Sequence, residues 1–123
     1  MDAQKMFCTV FIIACLLISG AGSIHAQPEI NIPAMVDAIY RAEGSERAVK
    51  PFGILSVPCN SYAECRKICT NTVRNNIRRW KNAGSPGNYI DFLGNRYCPP
   101  SAHELNRNWV RNVRAIYRQI TGE

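Results

Sequence analysis

Ser61-Tyr62-Ala63-Glu64 is a capping-box pattern, serine followed three residues later by glutamate, and it opens the best-marked helix in the chain. Ala63, Ile68, Cys69, Thr72, Val73, Asn76, Ile77 and Trp80 fall on one side of that helix. Arg66, Lys67, Arg74, Arg78, Arg79 and Lys81 lie largely off the stripe, and Gly84 closes the element. Such a helix buries one face and wets the other, so it needs partners for its apolar stripe. The rest of the sequence supplies them. Pro33 suits a first helical turn, and Met35, Val36, Ile39 and Tyr40 follow at helical spacing up to Glu43-Gly44. Ser85-Pro86 opens a shorter helix carrying Tyr89, Ile90, Leu93 and Tyr97, which Pro99-Pro100 breaks. A last helix from about Ala102 to Ile120 buries Leu105, Trp109, Val113, Ile116, Tyr117 and Ile120. Residues 45–59 read as an irregular connection, with Phe52-Gly53-Ile54-Leu55-Ser56-Val57 as a short strand or a buried loop. The expected fold is all-α, one small domain without repeats or low-complexity linkers.

The beginning of the chain reads as a targeting segment. Lys5 gives a positive start, Phe7 to Ser19 form an apolar run, and Ile24-His25-Ala26 ends in a cleavage site before Gln27. At ~1.5 Å per residue that run is short for a ~30 Å bilayer core, so residues 1–26 are expected to be a cleaved signal peptide rather than an anchor. The mature domain would be residues 27–123, secreted or periplasmic. Cys8 and Cys15 leave with the signal, and Cys59, Cys65, Cys69 and Cys98 remain. Four cysteines allow three pairings, in a compartment where disulfides persist. Cys65 and Cys69 share a helix face but are poorly placed to bond each other. The preferred arrangement is therefore Cys59–Cys65 with Cys69–Cys98, each link contributing about 2–4 kcal/mol. Zinc is the alternative for four sulfurs, but the spacings match no finger pattern. No metal or cofactor is expected.

The formal charge of +6 is unchanged by loss of Asp2 and Lys5. A basic exported domain suggests an anionic target surface, although single charges also serve solubility. Catalytic options are few. His25 departs with the signal and His103 stands alone, so a Ser–His or Cys–His pair would have to be built on it. No glycine-rich phosphate loop, His-Glu-x-x-His or Cys-x-x-Cys occurs. Carboxylates remain, and Glu43 stands out because it ends an apolar helix face running through Val36, Ile39 and Tyr40. A carboxyl at the edge of a core is desolvated, which favours its neutral, proton-donating form. The alternative is an ordinary glutamate at a fraying helix end. Asp91 is a weaker second acid, better read as structural or solvated; Glu46 suits an exposed pair with Arg47 or Lys50, and Glu64 has its capping role.

Ala38-Ile39-Tyr40-Arg41-Ala42-Glu43-Gly44 resembles the helix end that carries the catalytic glutamate in the lysozyme-like superfamily, nearest to lytic transglycosylases and goose-type lysozymes. Phe52-Gly53-Ile54-Leu55-Ser56 resembles that family's Gly-Leu-Met-Gln segment, which lines the floor of the glycan cleft. Asn95-Arg96-Tyr97-Cys98 occupies the region of its Tyr-Asn motif. Gly44 stands where the family usually has serine, Ser56 where it has glutamine, and a cysteine follows Tyr97. The resemblance runs from about Ile32 to Tyr117. It implies a lysozyme-like fold that cleaves the β-1,4 bond between N-acetylmuramic acid and N-acetylglucosamine. Glu43 would be the single acid and base, and Gly53, Ile54, Leu55, Ser56 and Tyr97 would meet the glycan.

Two rival readings stay open beside this one. The basic face of the second helix suits a non-enzymatic cationic protein that coats anionic envelopes. Nucleic acid is a poorer partner, since basic residues are spread over several helices and no recognition motif occurs. The polar cluster Asn106, Arg107, Asn108, Trp109, Arg111 and Asn112 suits sugar recognition, but Trp109 reads first as a core residue and the asparagines as helix surface.

Overall fold

The computed structural model describes residues 28–54 and 57–123. The expected signal peptide, with Cys8, Cys15 and His25, lies outside the described residues, as do Leu55 and Ser56. All regular structure among the described residues is helical: α1 (Ile32–Ala42), α2 (Tyr62–Asn82), α3 (Tyr89–Tyr97) and α4 (Glu104–Thr121), with three short 3-10 turns between them. None of these helices is long and apolar enough to cross a membrane.

Helix α1 is the centre. Asn31 caps it by accepting the Ala34 amide on Oδ1 at 3.0 Å. Ala34, Met35, Val36, Ala38 and Ile39 are all buried. Full burial of a side chain such as Met35 or Ile39 contributes about 1.5–3 kcal/mol. The helix ends where Gly44 takes φ 109, a conformation that costs glycine little. Its widest packing is against α4, with α2 next. Two hydrogen bonds fix the sense of the α1–α4 pair. The Asn31 amide donates to the Tyr117 hydroxyl at 3.1 Å, and the Trp109 indole donates to Glu43 at 2.8 Å. The start of α1 meets the end of α4 and the reverse, so the two run antiparallel.

Helix α2 begins at the expected cap: Ser61 Oγ accepts the Glu64 amide at 3.1 Å. Glu64 reaches one residue further back than a capping box does, taking the Asn60 amide at 3.0 Å. Its buried stripe runs through Cys65, Cys69, Val73, Asn76 and Trp80, at spacings of four, four, three and four. Ala63, expected on that stripe, is exposed because Cys65 holds the corresponding face.

The disulfide expectation holds for one pair. Cys59 and Cys65 are bonded, while Cys69 and Cys98 are free thiols. Tyr97, not Cys98, meets Cys69, with its hydroxyl 3.5 Å from the sulfur. Cys98 is the C-cap of α3, already in extended backbone and leaving the helix. No group of three or more potential metal ligands occurs among the described residues.

Other boundaries also move. Ser85 does not open α3 but takes a left-handed φ of 53 in a turn, and Asn88 is the cap, accepting the Ile90 amide at 2.9 Å. The Trp80 indole closes that turn by donating to the Pro86 carbonyl at 3.1 Å. Leu105, expected in the core, is 66% exposed, since the core takes residues of α4 only from Trp109 onward. At its start, Phe52 and Gly53, the segment expected as a short strand or buried loop is neither strand nor plain loop. Pro51–Gly53 form a 3-10 turn with Phe52 at φ 59, and the ring is fully buried. That left-handed residue costs roughly 1–2 kcal/mol, which burial of a whole phenylalanine offsets.

Candidate functional site

Glu43 is the C-cap residue of α1, its amide donating to Ile39 O at 2.9 Å. Position 43 follows Val36, Ile39 and Tyr40 around the helix, which leaves the glutamate half-buried at the rim of the core. Its carboxylate has two neighbours from distant segments. Trp109 on α4 donates its indole N–H to Oε1 at 2.8 Å. On another side lies Gly53, where an ideal Cβ would stand 2.8 Å from both Cδ and Oε1 and 3.2 Å from Oε2. The carboxylate thus occupies space that any side chain at 53 would need.

Phe52 anchors the Gly53 turn. Its ring lies 4.9 Å from Tyr40 and 5.6 Å from Tyr62, and those two tyrosines meet edge-on at 5.3 Å. Three aromatics from α1, the turn and α2 therefore fix the backbone beside the acid. Ile54, half-buried, packs against the same core.

Tyr97 reaches the site through Trp109. The two rings stack at 4.9 Å with planes 14° apart, and the Tyr97 hydroxyl rests on Cys69. Burial pushes the Tyr97 hydroxyl far above its ordinary pKa, with the neighbouring Cys69 and Glu43 adding to it. It is a neutral phenol in any physiological buffer and serves by packing and hydrogen bonding. Burial likewise pushes the Cys69 thiol up to about 11, against the opposing effect of the Tyr97 hydrogen bond.

Of the residues singled out from sequence, Glu43 and Gly53 adjoin directly, and Tyr97 joins them through the indole. The remaining candidates lie elsewhere. Asp91 is exposed and paired with Arg114 at 2.8 Å. Glu46 makes no ion pair among the described residues. Asn106 donates to the Cys98 carbonyl, Asn108 accepts from Arg111, and Asn112 is exposed. His103 precedes α4 with φ 40. Hollows of about 270, 620 and 430 Å³, around Trp80 and Tyr117, around Asn31 and Arg74, and around Tyr62 and Asn71, are lined by none of Glu43, Gly53, Tyr97 and Trp109.

Trp109 is the contact that sequence reasoning missed, having placed it first in the core. A buried tryptophan needs an acceptor for its one N–H. An acid ending the apolar face of another helix was the available signal. Asp37 on α1 was missed as well; it accepts from Arg66 at 2.5 Å and so holds α1 to α2.

No protein-family model matches the chain, and no curated protein or solved structure shows significant similarity to it.

Proposed function

We propose that this chain is an exported, lysozyme-like glycosidase that cleaves the glycan strands of peptidoglycan, with Glu43 as its single acid and base. The observation that carries the reading is the seating of Glu43. Its carboxylate is lodged between the backbone of Gly53 and the Trp109 indole, at a half-buried helix end. The segments carrying Glu43, Gly53 and Tyr97 resemble parts of one family's cleft; Gly53 adjoins the carboxylate directly and Tyr97 reaches it only through the Trp109 indole.

In this reading Glu43 protonates the oxygen leaving between N-acetylmuramic acid and N-acetylglucosamine. The substrate's own N-acetyl group stabilises the positive charge developing at the anomeric carbon, so no protein nucleophile is required. The ionised Glu43 then removes a proton from either the sugar's 6-hydroxyl or a water. The first route closes a 1,6-anhydro ring and the second hydrolyses the bond. Asp37 and Asp91 are engaged with arginines, which suits a mechanism with one acid.

The test is release of soluble muropeptides from purified sacculi, native protein against Glu43→Gln, with mass analysis of the sugar ends. Loss of release in a folded variant is expected; unchanged turnover removes Glu43 from the mechanism. A second reading has its own observation. Lys67, Arg74, Arg79 and Lys81 are exposed on α2 and have no acidic partner among the described residues. A purely cationic envelope binder would act on anionic vesicles, weaken steeply with salt and be indifferent to Glu43.

A further inference from the structure

We infer that Trp109 is a positioning residue that orients the Glu43 carboxyl and assigns its acid proton to Oε2. The consequence for catalysis rests on the glycosidase reading; the geometry does not. An indole N–H can only donate, so the oxygen it touches must accept. That oxygen is Oε1, at 2.8 Å. In a protonated carboxyl the better acceptor is the carbonyl-type oxygen, so a donor fixed on Oε1 leaves the hydroxyl on Oε2. The backbone of Gly53 reinforces the choice. A Cβ there would stand 2.8 Å from Oε1 but 3.2 Å from Oε2, so Oε2 is the oxygen less closely walled in.

The indole is itself held. Its face lies on Tyr97 at 4.9 Å, and the Tyr97 hydroxyl lies 3.5 Å from the Cys69 sulfur. Cys69, Tyr97 and Trp109 come from α2, α3 and α4, and Glu43 caps α1. One residue from each helix therefore stands in the line that ends at the carboxyl. A proton donor aimed this way is set before substrate arrives, and misplacement by about 1 Å commonly costs on the order of a hundredfold in rate.

The first measurement is the indole N–H resonance of Trp109 in an ¹⁵N-labelled chain across an acid titration. It is expected to shift with the ionisation of Glu43 and to lose that response in Glu43→Gln. The indole of Trp80, bonded to the Pro86 carbonyl, is the internal control and should stay still. A Trp109 resonance indifferent to Glu43 overturns the inference, whether or not the protein is an enzyme. The second measurement is steady-state muropeptide release by Trp109→Phe, which keeps an aromatic ring over Tyr97 and deletes the donor. A fall in kcat of about ten- to a hundredfold with KM unchanged is expected. Unchanged kcat in a folded variant overturns the positioning role while leaving Glu43 as the acid. A coupled resonance with no release by the native protein sinks the glycosidase reading and leaves the orientation standing.

Discussion

Gly53 and Glu43 are packed so closely that the smallest side chain at 53 would collide with the carboxylate: a Cβ there stands 2.8 Å from both Cδ and Oε1. Gly53 also holds φ 66, where an alanine pays roughly 1–2 kcal/mol. The obstructed atoms are the far end of a flexible side chain, so the carboxylate can swing away from the collision. Gly53→Ala is therefore expected to lose only about 1–2 kcal/mol of stability in urea denaturation while muropeptide release falls at least tenfold. Full activity would show that the position of the carboxylate at Gly53 has no bearing on turnover.

Gly94 poses the same question inside the core. A Cβ on it would stand 2.5 Å from Val110 Cγ2 and 3.5 Å from the Trp109 ring. Alanine improves helix propensity by about 1 kcal/mol, but overpacking between α3 and α4 costs about 1–3 kcal/mol. The clash is the larger effect because Val110 is itself buried. Gly94→Ala should lower stability by about 1 kcal/mol, and Gly94→Ala with Val110→Ala should be less damaging than the sum of the two. A stabilised single variant would mean that α3 and α4 can move apart freely.

The helices were legible because local chemistry decides them. Ser61 caps α2, Gly44 and Gly84 end helices, and the apolar stripe of α1 pointed to Glu43 at its edge. What escaped depends on contacts distant in sequence. Nothing local says that Trp109 finds its acceptor 66 residues earlier, or that Tyr97 rather than Cys98 arrives at Cys69. The second failure is one of register at a helix end, where a single residue decides which side chain reaches α2. Phe52 was hidden for another reason. Burial of its ring outweighs a left-handed backbone that propensity alone argues against.

Cys69 and Cys98 should differ sharply in reactivity. Cys69 is fully buried, and burial pushes its thiol up to about 11, while the nearby Tyr97 hydroxyl and Arg66 pull the other way. In iodoacetamide at pH 8 Cys98 is expected to be labelled first and Cys69 only on unfolding. The raised value also sets a sign for stability. Below about pH 9 the thiol is protonated folded or unfolded; between about pH 9 and 11 the unfolded state releases the proton and the folded state keeps it. Stability should therefore drop across that window, by on the order of 2 kcal/mol, and Cys69→Ala should lack that part of the loss. Tyr89 and Tyr97, also raised mainly by burial, add a loss of the same sign above pH 10, which the variant retains. An intact mass showing two disulfides, or equal labelling of the two thiols, would overturn the assignment.

Asn76 sits 5% exposed on the buried stripe of α2, and its Oδ1 accepts no hydrogen bond from the described residues. A buried oxygen without a donor costs about 1–3 kcal/mol, and leucine is close to asparagine in reach and a better helix former. Replacing it removes the unpaired group and extends the apolar stripe formed by Val73 and Trp80. Asn76→Leu is expected to raise stability by about 1–2 kcal/mol, read as a higher urea midpoint with an unchanged slope. A fall of similar size would show that a bound water or another donor occupies the space beside Oδ1. In that case the amide holds a polar link between helices, and its place in the core is set by that link rather than tolerated despite its cost.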